Sequence, residues 1–232
     1  MALTIQSLER GLDILSVIGK SGRPLSLNEI AEQFSIDKSS VFRLIKTLEG
    51  KGFVIQDKET KRFTLGYRVL ELSGYFSENN AIERLIRPIL IHVALRTHQN
   101  THLAVMEQQD VVFIAVEQPR DKVTLNLTVG TREPASVTAL GKALLAFKNK
   151  EELTGLVATM EFRKYTDRSI LSQEEMMKEL DRVRIERVSY DREEYKTGIV
   201  CIASPVMDHR KRAVYSIGIS GPRDLVMPPL ED

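Results

Sequence analysis

The stretch "SLNEIAEQFSIDKSSVFRLIKTLEGKGFVIQDKETKRFTL", Ser26 to Leu65, decides the fold of the N-terminal part of this chain. Ser26 followed by Glu29 is the pattern of a capping box, and Leu27, Ile30, Ala31 and Phe34 then recur at helical spacing. A turn at Ser35-Ile36 separates this short helix from a second one, with Asp37 or Ser39 as its cap. Val41, Leu44, Ile45 and Leu48 make the buried stripe of that second helix. At 100° per residue Ser39, Arg43 and Lys46 fall on the opposite side, flanked by Ser40, Phe42 and Thr47. The helix ends near Gly50, and "GFVIQ" and "RFTL" read as two short strands around the polar loop "DKETK".

Upstream, Ile5, Leu8, Leu12 and Leu15 predict a helix with one apolar face, stopped by Gly19, Gly22 and Pro24. Helix, short helix, tight turn, helix and hairpin is the order of a winged helix-turn-helix, whose second paired helix enters the major groove of double-stranded DNA. Seven cations stand against three anions between Lys38 and Arg62, in a chain whose net charge is only +1. Such a local excess suits a polyanion docking at one place. Ser39 and Ser40 can donate to phosphates or base edges, Arg43 carries the fork that suits guanine, and Lys46 suits a phosphate. Lys61 and Arg62 lie on the wing, where backbone or minor-groove contact is expected.

Composition agrees with a soluble protein. The 232 residues are 42% hydrophobic and 28% charged, without an apolar run long enough to span a bilayer or a leading signal segment, so a cytoplasmic location is expected. Cys201, the only cysteine, rules out an internal disulfide.

Beyond the hairpin, residues 67–76 read as a helix with Val69, Leu72 and Phe76 on one side, and "SENNA" as a joint. A long helix runs from Ala81 to about His98, with Pro88 kinking it or sitting near its start. "THLAVMEQ" and "VVFIAVEQ" make a hairpin, "KVTLNLTVG" a third strand, and "TALGKALLAF" a helix. Another helix covers about Ser172 to Arg187, and "GIVCIASPVMD" and "AVYSIGISG" are the closing strands. This mixture without strict alternation predicts an α+β domain.

Several constellations fail as chemistry. Lys142 follows Gly141, but Ser136 and Ala143 occupy the positions where a phosphate loop needs glycine and a hydroxyl, so Lys142 is expected on a helix surface or at a subunit contact. His98 and His102 straddle a helix-to-strand break without a third ligand, so no metal is expected and both read as surface or satisfied histidines. Cys201 sits in an apolar strand and reads as pocket lining. No catalytic residue and no cofactor are expected.

The motifs "IQSLERGLDIL", "PLSLNEIAEQFSIDKSSVFRLIKTLEGKGFV", "RFTLGYRVLEL", "TALGKALLAF", "DREEYKTGIVCIASPV" and "ISGP" together resemble the IclR family of bacterial transcriptional regulators over nearly the whole chain. The resemblance implies a winged helix-turn-helix domain over residues 1–66, a linker helix over 67–79 and a GAF-like effector-binding domain over 80–232. It also implies dimers or tetramers on a palindromic operator. The resemblance implies a small organic effector as well, with Leu125 and Leu127 on one pocket wall and Asp191, Cys201 and Ser220 opposite. The free N–H groups at Ala139 and Leu140 offer a seat for a carboxylate. Ser136 and Gly218 depart from the pattern, where many members carry histidine and serine, and Pro228-Pro229 argue against a terminal helix. Two alternatives come from other classes. One is a ligand-binding protein using its winged helix for protein contacts, and the other an enzyme built on Cys201.

Overall fold

A computed structural model describes residues 4–119 and 127–227. The chain divides into two compact units, Met1–Ala81 and Ile82–Asp232.

The first unit runs α1 (Gln6–Lys20), α2 (Leu27–Ala31), α3 (Lys38–Gly50), β1 (Val54–Gln56), β2 (Phe63–Leu65) and α4 (Tyr67–Asn79). The capping box forms as the sequence demands: Ser26 Oγ accepts from Glu29 N at 3.3 Å, and Glu29 Oε2 accepts from Ser26 N at 2.7 Å. Val41 and Ile45 of α3, Ile30 of α2, and Val54 and Phe63 of the hairpin close one core with Ile14 and Ile18 of α1. Burying each of those aliphatic side chains contributes about 1.5–3 kcal/mol. The apolar face expected for α1 is joined by a second one. Ile5, Leu8 and Leu12 are 69, 60 and 55% exposed, while Gly11, Ile14 and Ile18 face the core. The helix carries two apolar stripes, and the one containing both isoleucines is the one that meets α3. None of the residues of α4 is buried.

The second unit begins with α5 (Ala81–Thr97), which contains Pro88, then β3 (Asn100–Glu107), β4 (Asp110–Glu117) and β5 (Arg132–Pro134). Three helices follow, α6 (Ala139–Leu145), α7 (Lys150–Thr159) and α8 (Gln173–Glu186). The chain returns through β6 (Ser189–Arg192), β7 (Ile199–Met207), β8 (Ala213–Pro222) and the short α9 (Arg223–Val226). The six strands form one antiparallel sheet in the order β5-β4-β3-β8-β7-β6. Its faces are chemically distinct because side chains alternate along a strand. Leu103, Ile114, Ala115 and Ile217 pack with Ile86 and Leu90 of α5. Ala104, Phe113 and Ala203 face the other way, onto α6, α7 and α8.

Helix α6 lies almost against the sheet. A Cβ on Gly141 would come within 2.3 Å of the Ala135 backbone, and one on Gly218 within 2.8 Å of Ile202 O and 3.3 Å of Leu140 Cδ2. All seven residues of α6 are buried as a result, Lys142 included. The expected surface position of Lys142 is therefore wrong. Packed on all sides, its charge is met inside the fold, by both carboxylate oxygens of Glu194 at 2.6 and 2.7 Å and by Glu179 of α8 at 3.5 Å. The strand expected over residues 122–130 lies largely outside the described residues, as do Leu125 and Pro228-Pro229; residues 127–130 are coil and turn.

Candidate functional site

The polar face of α3 is fixed at its start by Asp37, whose Oδ1 accepts from Ser40 N at 2.8 Å and from the Ser39 hydroxyl. Those hydrogen bonds hold the Asp37 carboxyl well below the usual carboxylate range, the Ser39 bond first. Ser39 thus serves the cap. Arg43 is exposed and donates to Ser40 Oγ at 3.2 Å, and Thr47 Oγ1 donates to Arg43 O at 3.0 Å. Lys46 Nζ bonds Glu49 at 2.7 Å and Gln56 Oε1 at 3.2 Å, 5.4 Å from the centroid of the exposed Phe42 ring. Gln56 in turn donates to Lys61 O at 3.0 Å, joining the helix to the wing. Periodicity gave no sign of that bridge, since Gln56 lies on another element.

The two expected wing cations differ. Lys61 is exposed at a left-handed turn position (φ 58°). Arg62 is half-buried and turned back, donating to Pro24 O and to Glu29 Oε2, both at 3.0 Å. These bonds staple the wing to α2. Glu29 also receives Arg23 and the Ser26 amide, and these bonds, the Ser26 backbone first, lower its carboxyl to about 2.

The second unit contains a cavity of about 530 Å³ on the α6 side of the sheet. Of the expected residues, Leu127, Ala139, Leu140, Asp191, Cys201 and Ser220 all line it. The register explains the grouping. Ser220 on β8 pairs with Cys201 on β7, which pairs with Asp191 on β6, and residues directly opposite share a face. His102, Phe113, Thr131, Glu133, Thr138, Tyr165, Tyr195, Lys196 and Ile199, none of them expected from the sequence, also line it. His102 and Phe113 come from β3 and β4; their rings meet edge to face at 5.2 Å. Glu133 comes from β5, and Tyr195 and Lys196 from the β6–β7 turn. One signal was available: His102 alternates in phase with Ala104 on a strand already identified, so it faces the same way.

The cavity is electrostatically unusual. Burial, and then the charge of Asp191, raise Glu133 to about 7, opposed by Lys196. Burial raises Asp191 to about 6, although Glu194 N at 2.7 Å and Tyr195 N at 3.4 Å donate to its Oδ1. Burial also pushes the Cys201 thiol well up, helped by the charges of Asp191 and Glu133, and drives His102 down to about 3, so its imidazole is neutral.

An exposed, capped helix in a winged unit, joined to a unit with a buried small-molecule cavity, defines a DNA-binding regulator that responds to a ligand. The comparisons are specific. Residues 7–58 match the family described as "IclR helix-turn-helix domain", and residues 75–227 match "Bacterial transcriptional regulator IclR C-terminal". The chain belongs to the IclR family of bacterial transcriptional regulators. It is 30% identical over 217 residues to the transcriptional repressor AllR of Salmonella typhi, covering 94% of this chain and 80% of that one. The crystal structure of Thermotoga maritima IclR is 28% identical with a TM-score of 0.72, covering 94% of this chain and 88% of that chain. An IclR homolog of Microbacterium hydrocarbonoxydans complexed with 4-hydroxybenzoate shares the fold (TM-score 0.81, 18% identity, 93% of this chain and 89% of that one). Among the described residues no helix is long and apolar enough to cross a membrane.

Proposed function

We propose that the exposed face of α3 reads a palindromic operator in a homodimer, with Arg43 on a base edge and Lys46 on a phosphate. Ser40, Phe42 and Thr47 flank those contacts, and Lys61 approaches the backbone from the wing. The observation that carries the reading is the cap: Asp37 and Ser40 fix the first turn of α3, so Arg43 leaves a rigid element. The ion pair of Lys46 with Glu49 is no obstacle, because an exposed pair is worth only about 0–1 kcal/mol and a phosphate replaces it. Arg62 has no part in this contact.

The homodimer is supported by the exposed Ile5, Leu8 and Leu12 of α1, which the unit's own core does not use. Two linked readers gain through effective concentration what one lacks in base contacts. The effector binds in the cavity of the second unit, and its entry biases one dimer arrangement over another, a coupling of typically ~1–3 kcal/mol. Phe113, Leu127, Leu140 and Ile199 suit the body of a compact organic or aromatic acid. The chain works by binding and not by catalysis, in the cytoplasm. A buried thiol held protonated is a poor nucleophile, which supports that view of Cys201.

Selection of binding sites from random DNA with the purified protein tests this reading. An inverted repeat is expected, bound by a dimer in light scattering. Recovery of unrelated sequences, or a monomer on the selected site, contradicts it.

A further inference from the structure

His102 and Ser220 are buried to about 99%, and among the described residues His102 Nδ1 and Ser220 Oγ have no hydrogen-bond partner. Both line the cavity. Their juxtaposition follows from the β3–β8 register, in which His102 pairs with Gly218 and Asn100 with Ser220. His102 and Ser220 are therefore diagonal neighbours on one face, and Gly218 between them carries no side chain to cover either. A buried polar atom without a partner costs about 1–3 kcal/mol, so two together at the bottom of one cavity call for an occupant.

The character of that occupant follows from what surrounds it. The only cation among the described lining residues is Lys196, which is exposed at the mouth and shared with Glu133. Asp191 lines the same cavity, two strands from Ser220. A carboxylate placed beside His102 and Ser220 would share the cavity with the Asp191 carboxyl, and the buried cation whose charge acts on Asp191, Lys142, is already held by Glu194 and Glu179. A hydroxyl fits, because it can give its hydrogen to the imidazole and accept one from the serine.

Building on the effector reading above, we propose that His102 is a ligand-contacting, specificity-determining residue of this pocket. With Ser220 it reads a hydroxyl group at the inner end of a compact, mostly apolar organic molecule carrying at most one negative charge. That charge, where present, points toward Lys196 at the mouth. The ligand class is a hydroxylated monocarboxylate, not a di- or tricarboxylate.

The test is calorimetric titration of the full-length protein with paired probes: 4-hydroxybenzoate against benzoate, 4-hydroxybutanoate against butanoate, and succinate and phthalate as dicarboxylates. The hydroxylated member of at least one pair should bind tenfold or more tightly than its partner, with the dicarboxylates weaker still. His102→Phe should cut that ratio to twofold or less, and His102→Gln should restore part of it. Should His102→Phe not fold, by circular dichroism, Ser220→Ala takes its place with the same expected loss. The proposal is overturned if no hydroxylated probe binds, if a dicarboxylate binds best, or if the preference survives these substitutions. Ile199→Trp, which fills the cavity near its polar rim, separates this proposal from the pocket reading. Undiminished probe binding in Ile199→Trp removes the pocket itself, whereas binding lost there but indifferent to His102 removes only the hydroxyl readout.

Discussion

In the winged unit, Arg43 and Lys46 stand in solvent beside neighbours that water or a phosphate can replace. In the second unit, Lys142, Asp191 and His102 are buried and Glu133 is half-buried, and burial raises the two carboxyls and lowers the imidazole. The difference teaches how the two surfaces recognise. The first keeps charges hydrated until a polyanion releases counterions. The second buries polar atoms along a cavity, and we propose that a small molecule satisfies them. Substitution of Arg43 or Lys46 should therefore change DNA binding, and substitution of Lys142 or Glu133 should change stability.

The largest effect should come from Lys142→Met. Removing it leaves Glu194 buried and uncompensated, with Glu179 nearby, and breaking such a pair costs about 3–5 kcal/mol. Urea denaturation monitored on the second unit reads this directly, and a loss under 1 kcal/mol would place Lys142 outside the core. The next effect is pH-dependent. Below about pH 4.5 Glu133 is protonated in folded and unfolded chains alike; between there and about 7 only the folded chain keeps the proton. Stability therefore falls as pH rises through that window. Glu133→Gln should reduce the fall to the part that Asp191, raised to about 6, contributes, and gain ~1–3 kcal/mol at pH 8, measured by denaturation across pH. His102, lowered to about 3, has the opposite sign, so its contribution is lost as pH drops below 6.5. The smallest effect belongs to Arg62→Ala. It should lower the melting temperature of the winged unit slightly, with the salt slope of DNA binding unchanged. A slope reduced by one would return Arg62 to the DNA contacts.

The same contrast explains what could be read in advance. The α2–α3 pair was legible because its signals are local: a capping box within four residues and a stripe of period 3.6. The stripe of α1 left its partner open because Leu8 and Leu12 repeat as regularly as Ile14 and Ile18, and periodicity cannot say which face meets α3. Lys142 misled because a seven-residue helix enclosed on every side has no surface for a lysine, and its partner Glu194 lies 52 residues away. His102 escaped because only the pairing of β3 with β8 brings it beside Ser220, far along the chain. Helix α7 was missed although Asn149 and Glu152 carry a capping signal, with Asn149 Oδ1 accepting from Glu152 N at 2.8 Å.

The claim that the face of α3 is the DNA reader meets its most direct test in Arg43→Ala and Lys46→Ala, titrated by fluorescence anisotropy on the selected operator and its single-base variants at several salt concentrations. Arg43→Ala should cost ~1–3 kcal/mol and relax preference at one base pair. Lys46→Ala should weaken every sequence alike and reduce the salt slope by about one. Parental affinity, base preference and salt slope in both variants would contradict the placement of α3 in the groove.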